Sequence, residues 1–454
     1  METVLDGSSR SFNEYGDVRH MSSETHRVVI AGGGAGGLEL AAKLGRKFGP
    51  GRIFLIDKAG SHIWKPSLHE VAAGTLDIHR EGLAYPMLAK DCGFTFFLGE
   101  IQHVDRTART VHLAPVLFED REIFPARDIP YDTLVLALGS KSNFFDTPGT
   151  QEYAIALDST EQAERFRQQL LRALVMVHRD QPSGSARVVH IAIVGGGATG
   201  VELAAELVES CKNVAYYGLT HLDPATDVRI TLLEGAPRIL AALPEKVSAA
   251  AQGLLNDRGV TVSTSVKVAA IESDAVLDTE GRRYPCDLCV WAAGIKAPDI
   301  LKSTGLPVNR INQIIVDAGL QTEDPAVFAI GDCAQAPWSG TDRFLPARAQ
   351  VAHQQADFLI SVLAARIAGE EPAEKVFRFK DYGSLVSLGH NRGVGSLMGV
   401  LSGRKMFVQG LVARLMYMSL HLMHHRAVLG LVRTVNIAIG RLLLKRSTPR
   451  VKLH

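Results

Sequence analysis

Short apolar runs rich in β-branched residues recur along the chain, and most end in glycine or an acid: Val28–Ala31, Ile53–Ile56, Thr133–Leu138, Val188–Val194, Val228–Leu233, Cys289–Ala293 and Val327–Ile330. Runs that stay apolar, with no in–out alternation, fit strands buried on both faces of a parallel sheet. Helix-forming sequence follows several of them. The pattern therefore predicts an α/β chain with at least two parallel sheets.

Two of the runs enter the same kind of turn. Val28–Ala31 leads into Gly32-Gly33-Gly34-Ala35-Gly36-Gly37 and the helical Leu38–Leu44, while Val188–Val194 leads into Gly195-Gly196-Gly197-Ala198-Thr199-Gly200 and Val201–Leu207. G-x-G-x-x-G between a strand and a helix marks a dinucleotide site, with the pyrophosphate resting on the helix N-terminus. Two in one chain are far more specific than one. The next strand of the first unit ends in Asp57, placed to bind a ribose hydroxyl. In the second unit the matching acid, Glu234, arrives 34 positions after Gly200, and residues 210–227 read as an inserted loop that explains the delay. Glu234 would repel a 2′-phosphate and favour NADH over NADPH, with Arg238 as a possible counterweight. Leu138-Gly139 and Gly294 close the two units in the same way.

Past the second unit the chain returns to the first. Val327–Ile330 runs into Gly331-Asp332, an acid suited either to a flavin ribityl and pyrophosphate or to a helix N-cap. Gln350 and Gln354 then share one helical face; spacing alone favours a solvated face there. Between the strands, His62, Lys65 and His69 read as hydrogen-bonded loop and helix residues rather than catalysts.

Composition changes this picture in two places. The formal charge of +1 conceals an uneven split: from Tyr382 to His454 there are eleven Lys or Arg and no Asp or Glu, which leaves the preceding 381 residues at about −10. An acidic body with a basic end points to a polyanionic surface. Gly383–Gly389 and Gly393–Val400 predict a hairpin, and Phe407 onward predicts a helix. Its apolar stripe runs 408, 411, 412, 415, 419, 422 and 423, interrupted at Ser419, with Arg414, His421 and His425 on the other side. No stretch there exceeds eleven residues without Lys or Arg, short of the roughly 20 that span a bilayer. The pattern suits a helix lying in an anionic membrane interface, against an ordinary docking helix or dimer surface. Stacking aromatics are scarce, which argues against nucleic acid. Five scattered cysteines give no disulfide framework. Cys286 and Cys289, three apart on a presumed strand, should point to opposite faces and serve as structural thiols. Residues 1–25 read as a disordered polar leader without a signal core, and no metal-ligand spacing stands out.

Taken together, the sequence resembles the type II NADH:quinone oxidoreductases, single-subunit non-pumping NADH dehydrogenases, over about residues 26–454, and most closely the bacterial respiratory ones. The motifs that carry the resemblance are Trp64-Lys65-Pro66 with Leu68-His69-Glu70-Val71-Ala72, Ala198–Leu203, Trp291–Ile295, Ala349-Gln350 with Gln354, Met416–His421 and the terminal Val451–His454. It implies a two-dinucleotide-binding flavoprotein fold of two Rossmann-like domains with a C-terminal membrane-docking segment. The implied domains are a leader at 1–25, an FAD-binding domain at 26–150 and 305–381, an NADH-binding domain at 151–304, and hairpin and docking helices at 382–454. Non-covalent FAD is expected at Gly32, Gly34, Ala35, Gly36, Gly37, Asp57, Lys58, Ile101, Leu138, Gly139, Gly331, Asp332, Ala349 and Gln350. NADH is expected at Gly195, Gly197, Gly200, Glu234 and Gly294. By the same resemblance Gln350 and Gln354 stand where quinone approaches the flavin, which displaces the solvated-face reading, and Glu202 stands near nicotinamide and flavin. Ubiquinone or menaquinone, an anionic membrane surface on the cytoplasmic face of the bacterial inner membrane, and a possible homodimer complete the implied setting. Soluble ferredoxin- or rubredoxin-type reductases share both nucleotide units but do not explain the acid-free tail. Sulfide:quinone oxidoreductases need paired cysteines beside the flavin, and a flavin-binding scaffold without turnover would have no use for the glutamine pair.

Overall fold

The computed structural model describes residues 25–180, 187–373, 375–389, 393–398, 405–444 and 451. The expected leader, except for residue 25, and the terminal residues 452–454 lie outside the described residues. The first unit runs β1 (Val28–Ala31), α1 (Ala35–Phe48), β2 (Ile53–Asp57), α2 (Leu68–Ala73), α3 (Ile78–Glu81), α4 (Tyr85–Cys92), β3 (Thr95–Leu98) and β4 (Thr133–Leu136). The second runs β5 (Ala154–Ala156), α5 (Thr160–Asp180), β6 (Val189–Val194), α6 (Ala198–Tyr217), β7 (Val228–Glu234), β8 (Val260–Thr264) and β9 (Leu288–Trp291). The chain then supplies β10 (Val327–Ala329) and α7 (Ala349–Ala368) to the first unit.

Both sheets are parallel and five-stranded, in the orders β10-β4-β1-β2-β3 and β5-β9-β6-β7-β8. Every residue of β1 and β4 is buried, as unbroken apolar runs require. Each glycine turn leaves the sheet beside the strand where the order of connection reverses, which is where open α/β sheets bind ligands. Two short crossing strands, Lys141–Ser142 and Ile295–Lys296, pair antiparallel where the chain leaves one unit and returns to it. Helix α2 belongs to the first unit by sequence, yet Leu68, Val71 and Ala72 are buried in the second unit's core.

The C-terminal region forms an antiparallel sheet of β11 (Gly383–Ser387), β12 (Gly393–Met398) and β13 (Lys405–Gln409), followed by α8 (Leu411–Leu429) and α9 (Leu431–Leu444). Helix α8 packs on α1 and on this sheet. Among the described residues no helix is long and apolar enough to cross a membrane.

Four expectations are corrected. Residues 210–217 are not loop: after Gly200 α6 meets no Gly or Pro before Gly218, and it buries Cys211 and Val214 on the way. Residues 218–223 do form a turn, and with a one-turn helix, Pro224–Asp227, capped by the Asp223 side chain, they separate α6 from β7. Phe407 lies in a third strand, and the helix begins only after Gly410, whose φ of 75° ends the strand. Asp332 caps no helix, because Gly331–Cys333 is a 3-10 turn followed by a two-residue strand. Finally, Cys286 and Cys289 are close enough for each thiol to shift the other, Cys286 down and Cys289 up, because Cys286 precedes β9 rather than belonging to it; both are buried and free.

Candidate active site

The first glycine turn can be built only from glycine at two positions. Gly32 sits at φ +107°, and a Cβ on it would lie 2.4 Å from the Ala137 carbonyl oxygen; one on Gly37 would lie 1.9 Å from the Gly32 oxygen. Gly34 is the N-cap of α1 and has open space before it. Asp57, at the end of β2, accepts from the Gly33 amide at 2.7 Å and the Ala59 amide at 2.8 Å. Burial raises its carboxyl above the ordinary value, and those two amides oppose the rise. The Gly33 carbonyl accepts from the Tyr85 hydroxyl at 2.7 Å and bonds His62 Nδ1 at 2.9 Å.

The second turn repeats the device. Gly195 has φ +113°, and a Cβ on Gly200 would lie 2.0 Å from the Gly195 oxygen. Glu234 accepts from the Gly196 amide at 2.5 Å and the Ala236 amide at 2.6 Å. Arg238 donates to the Leu240 and Ala241 carbonyls, so its guanidinium is engaged within its own loop.

A single cavity of about 2400 Å³ joins the two turns. That exceeds the roughly 300–1000 Å³ of a drug-sized site and leaves room for extended ligands. The expected flavin residues all line it: the turn from Gly32 to Gly37, Asp57, Lys58, Ile101, Leu138, Gly139, Gly331, Asp332, Ala349 and Gln350. From the second unit Gly197, Glu202 and Gly294 reach it, whereas Gly195, Gly200 and Glu234 stand behind as the frame of the turn. Asp332 accepts from the Ser140 hydroxyl at 2.8 Å, and Lys65 donates to the Ser140 carbonyl at 2.6 Å.

The glutamine pair divides. Gln350 lines the cavity, and its Oε1 is buried without a hydrogen-bond partner among the described residues. Such an atom is costly unless a ligand donor meets it, so this cradle fits a bound flavin. Gln354 instead bonds both the amide and the carbonyl of Lys380 at 2.9 Å and does not line the cavity. Its neighbour Gln355, which spacing did not single out, is buried and accepts from the Gly331 amide at 2.7 Å.

Glu202, in the first turns of α6, is the most perturbed acid of the cavity wall. Burial pushes its carboxyl up to about 8; Glu70 and Glu206 add to the rise, and the Ser387 amide, donating at 3.0 Å, opposes it. His69 stands 3.6 Å away, with burial pushing its ring down to about 4. Their contact at neutral pH is therefore between a protonated acid and a neutral ring, not an ion pair.

A chain of buried polar groups escaped sequence reasoning. His62 Nε2 lies 3.0 Å from His424 Nε2, and His424 Nδ1 lies 2.7 Å from Glu39 Oε1. The other Glu39 oxygen is bonded by His353. Burial would raise the Glu39 carboxyl, but the hydrogen bonds from His353 and His424 outweigh it and hold it at about 2. His424 thus turns inward, as does His425, so the histidine side of α8 faces protein while Val412, Ser419 and Met423 face out. At the cavity rim Glu81, His421 and His425 bring their ligand atoms within 4.8 Å of one another, a set able to hold a metal ion that the spacing did not reveal.

Comparison with known proteins agrees with this geometry. The family model of the pyridine nucleotide-disulphide oxidoreductases matches residues 26–356. The type II NADH:quinone oxidoreductase of Haemophilus influenzae is 39% identical over 94% of this chain and 99% of its own. Ndh of Mycobacterium tuberculosis, with the same description, is 29% identical over 87% of this chain and 84% of its own. Among solved structures, NDH2 of Plasmodium falciparum in complex with NADH superposes with a TM-score of 0.78 at 18% identity, covering 95% of this chain and 100% of that one. The sulfide:quinone oxidoreductase of Aquifex aeolicus reaches 0.70 at 19% identity, covering 89% and 92%; both show the shared fold. With the family matched over most of the chain and a relative this similar over nearly all of it, the chain belongs to the pyridine nucleotide-disulphide oxidoreductases and, within them, to the type II NADH:quinone oxidoreductases.

Proposed function

We propose that this chain oxidises NADH with FAD and passes the electrons to a membrane quinone, ubiquinone or menaquinone, without pumping protons. The observation that carries the assignment of residues is the single cavity onto which both glycine turns, Glu202 and Gln350 open. Bound FAD would supply the two-electron chemistry that links hydride donor and quinone. The first turn, Asp57 and Asp332 hold that dinucleotide, and the second turn with Glu234 holds NADH. Aligned N–H groups at the N-termini of α1 and α6 face the two pyrophosphates. Glu202 keeps a proton on its carboxyl up to about pH 8 and offers it inside the cavity, the state a general acid needs. The Gln350 amide oxygen takes a hydrogen bond from a flavin N–H, and its amide N–H is the group that donates to a quinone carbonyl. Gln354 acts from behind, fixing the segment at Lys380 against α7.

The domain limits follow the sheets: 26–150 with 305–381 for flavin, 151–304 for NADH and 382–454 for docking. Val412 and Met423 on α8, with Leu431, Val432, Val435 and Ile439 on α9, are exposed on a segment without acids. This face rests on anionic lipid at the cytoplasmic side of the inner membrane, and a homodimer is the second use such a surface would have. Rapid mixing tests the core of the proposal. NADH should bleach the 450-nm flavin band, and a short-chain quinone should restore it. Bleaching without restoration by ubiquinone or menaquinone analogues would assign a protein acceptor instead.

A further inference from the structure

Helix α8 presents two histidines, His421 and His425, at a spacing that puts both on one helical face. Their ring centroids lie 4.5 Å apart. Opposite them stands Glu81, the last residue of the one-turn helix α3, and each of the three offers a ligand atom within 4.8 Å of the other two. All three line the cavity. The rings are oriented before any ion arrives. His425 Nδ1 lies 3.0 Å from the His421 carbonyl oxygen, which only accepts, so Nδ1 carries the hydrogen and Nε2 keeps its lone pair. A backbone carbonyl on the far nitrogen is the usual support of a metal-ligating histidine. Trp64 stacks on the His421 ring, with centroids 6.0 Å and planes 12° apart. His424 is bonded to Glu39 and His62 instead and takes no part in the set.

We propose that Glu81, His421 and His425 bind one divalent transition-metal ion of the zinc class, and that the bound ion fastens the docking helix α8 to α3 and slows quinone access to the flavin. Two imidazoles and one carboxylate are the ligands of an open zinc site, whose fourth position holds water. Magnesium and calcium take oxygen ligands and are poorly served by this set. Zinc bonds of about 2.1 Å place ligands roughly 3.4 Å apart in a tetrahedron, so small side-chain torsions close the set. The effect on access rests on the quinone reading above; the binding does not. Leu420, next to His421, both lines the cavity and is exposed, so the cavity reaches the outer side of α8. Met423 on α8 and Leu431 and Val435 on α9 are exposed as well. A lipid-soluble acceptor arriving at these helices passes the metal set on its way in, and an ion joining α8 to α3 stiffens that entrance.

Cobalt titration of full-length, FAD-loaded, chelator-treated protein tests the binding without quinone. One equivalent should develop the visible absorption of low-coordinate cobalt, zinc should displace it, and affinity should fall at least tenfold in His425→Gln and in Glu81→Gln. The second variant lies outside α8, so it separates a lost ligand from a disturbed helix. Absence of that absorption, or equal cobalt affinity in wild type and both variants, would overturn the site. Rapid mixing then tests access. Zinc should slow reoxidation of the reduced flavin by a short-chain quinone at least fivefold in wild type, leave bleaching by NADH unchanged, and change neither step in Glu81→Gln. Zinc that binds but slows neither step, or slows both equally, would overturn the effect on access. Failure of quinone to reoxidise the metal-free wild type would instead refute the quinone reading, and the effect on access with it, while cobalt binding stood.

Discussion

The two glycine turns share a plan and differ in how tightly they are held. In both, the acid at the end of the next strand grips the amide of the middle glycine, Asp57 on Gly33 and Glu234 on Gly196. On the carbonyl side they part. Gly33 is bonded by two buried side chains from elsewhere in the chain, His62 and Tyr85, whereas Gly196 accepts one backbone N–H, from Leu240 at 2.7 Å. On the proposed assignment the first turn keeps its cofactor through every cycle, and it is the one bolted by distant residues. The second turn, which on that assignment releases its nucleotide each cycle, is held by its own neighbourhood.

The strongest way to break this comparison is to fill each turn. With Cβ clearances of 1.9 and 2.0 Å, Gly37→Val should yield protein lacking the 450-nm flavin band, while Gly200→Val should retain flavin that NADH no longer bleaches. Loss of flavin from both would mean the two turns are not separate sites. Removing the charge of each acid is the next step down. A hydrogen bond to a charged group contributes about 1.5–3 kcal/mol, so Glu234→Gln should raise KM for NADH roughly 10–100-fold with flavin content unchanged. Asp57→Asn should do the opposite, lowering flavin content first.

Glu202 sharpens the comparison through pH. Its folded value of about 8 lies above the ordinary 4.5, so between these the folded protein holds a proton that the unfolded chain has lost. Stability therefore falls as pH rises from about 4.5 to about 8. In Glu202→Gln, thermal melts should lose much of that slope, and quinone-dependent turnover should fall without the wild-type decline above pH 8. An unaltered slope would remove Glu202 from the account. The smallest effect is expected from Tyr85→Phe, which leaves His62 on the Gly33 carbonyl. A loss of about 1 kcal/mol should weaken FAD binding several-fold in equilibrium titration and leave KM for NADH unmoved.

The turns, their acids and the sheet strands were legible because each is a local pattern: an apolar run, glycines at fixed offsets, an acid at the next strand end. Gln350 and Glu202 line the cavity. What escaped is non-local or hinges on one residue. No spacing rule joins His424 to Glu39 across 385 residues. Gln355 rather than Gln354 grips Gly331 because one step along a helix rotates the side chain by about 100°. Helix α6 continues to Tyr217 because its inner face stays buried through Cys211 and Val214, a packing fact that polarity along residues 210–217 conceals. Cys286 meets Cys289 because the strand starts two residues later than its apolar look suggests.

The order of strands also governs how this protein is made. β4 pairs with β10, Leu134 against Val327, and the whole second unit lies between them in sequence. At a ribosomal rate of roughly 5–20 residues per second, about 190 residues separate the two strands, a wait of roughly 10–40 s. During that time the first sheet has an open edge at β4 while the second unit can already close. An unpaired apolar edge invites pairing with another chain. The nascent first sheet, more than the finished protein, is thus the point at which chaperones would engage and at which overproduction would aggregate.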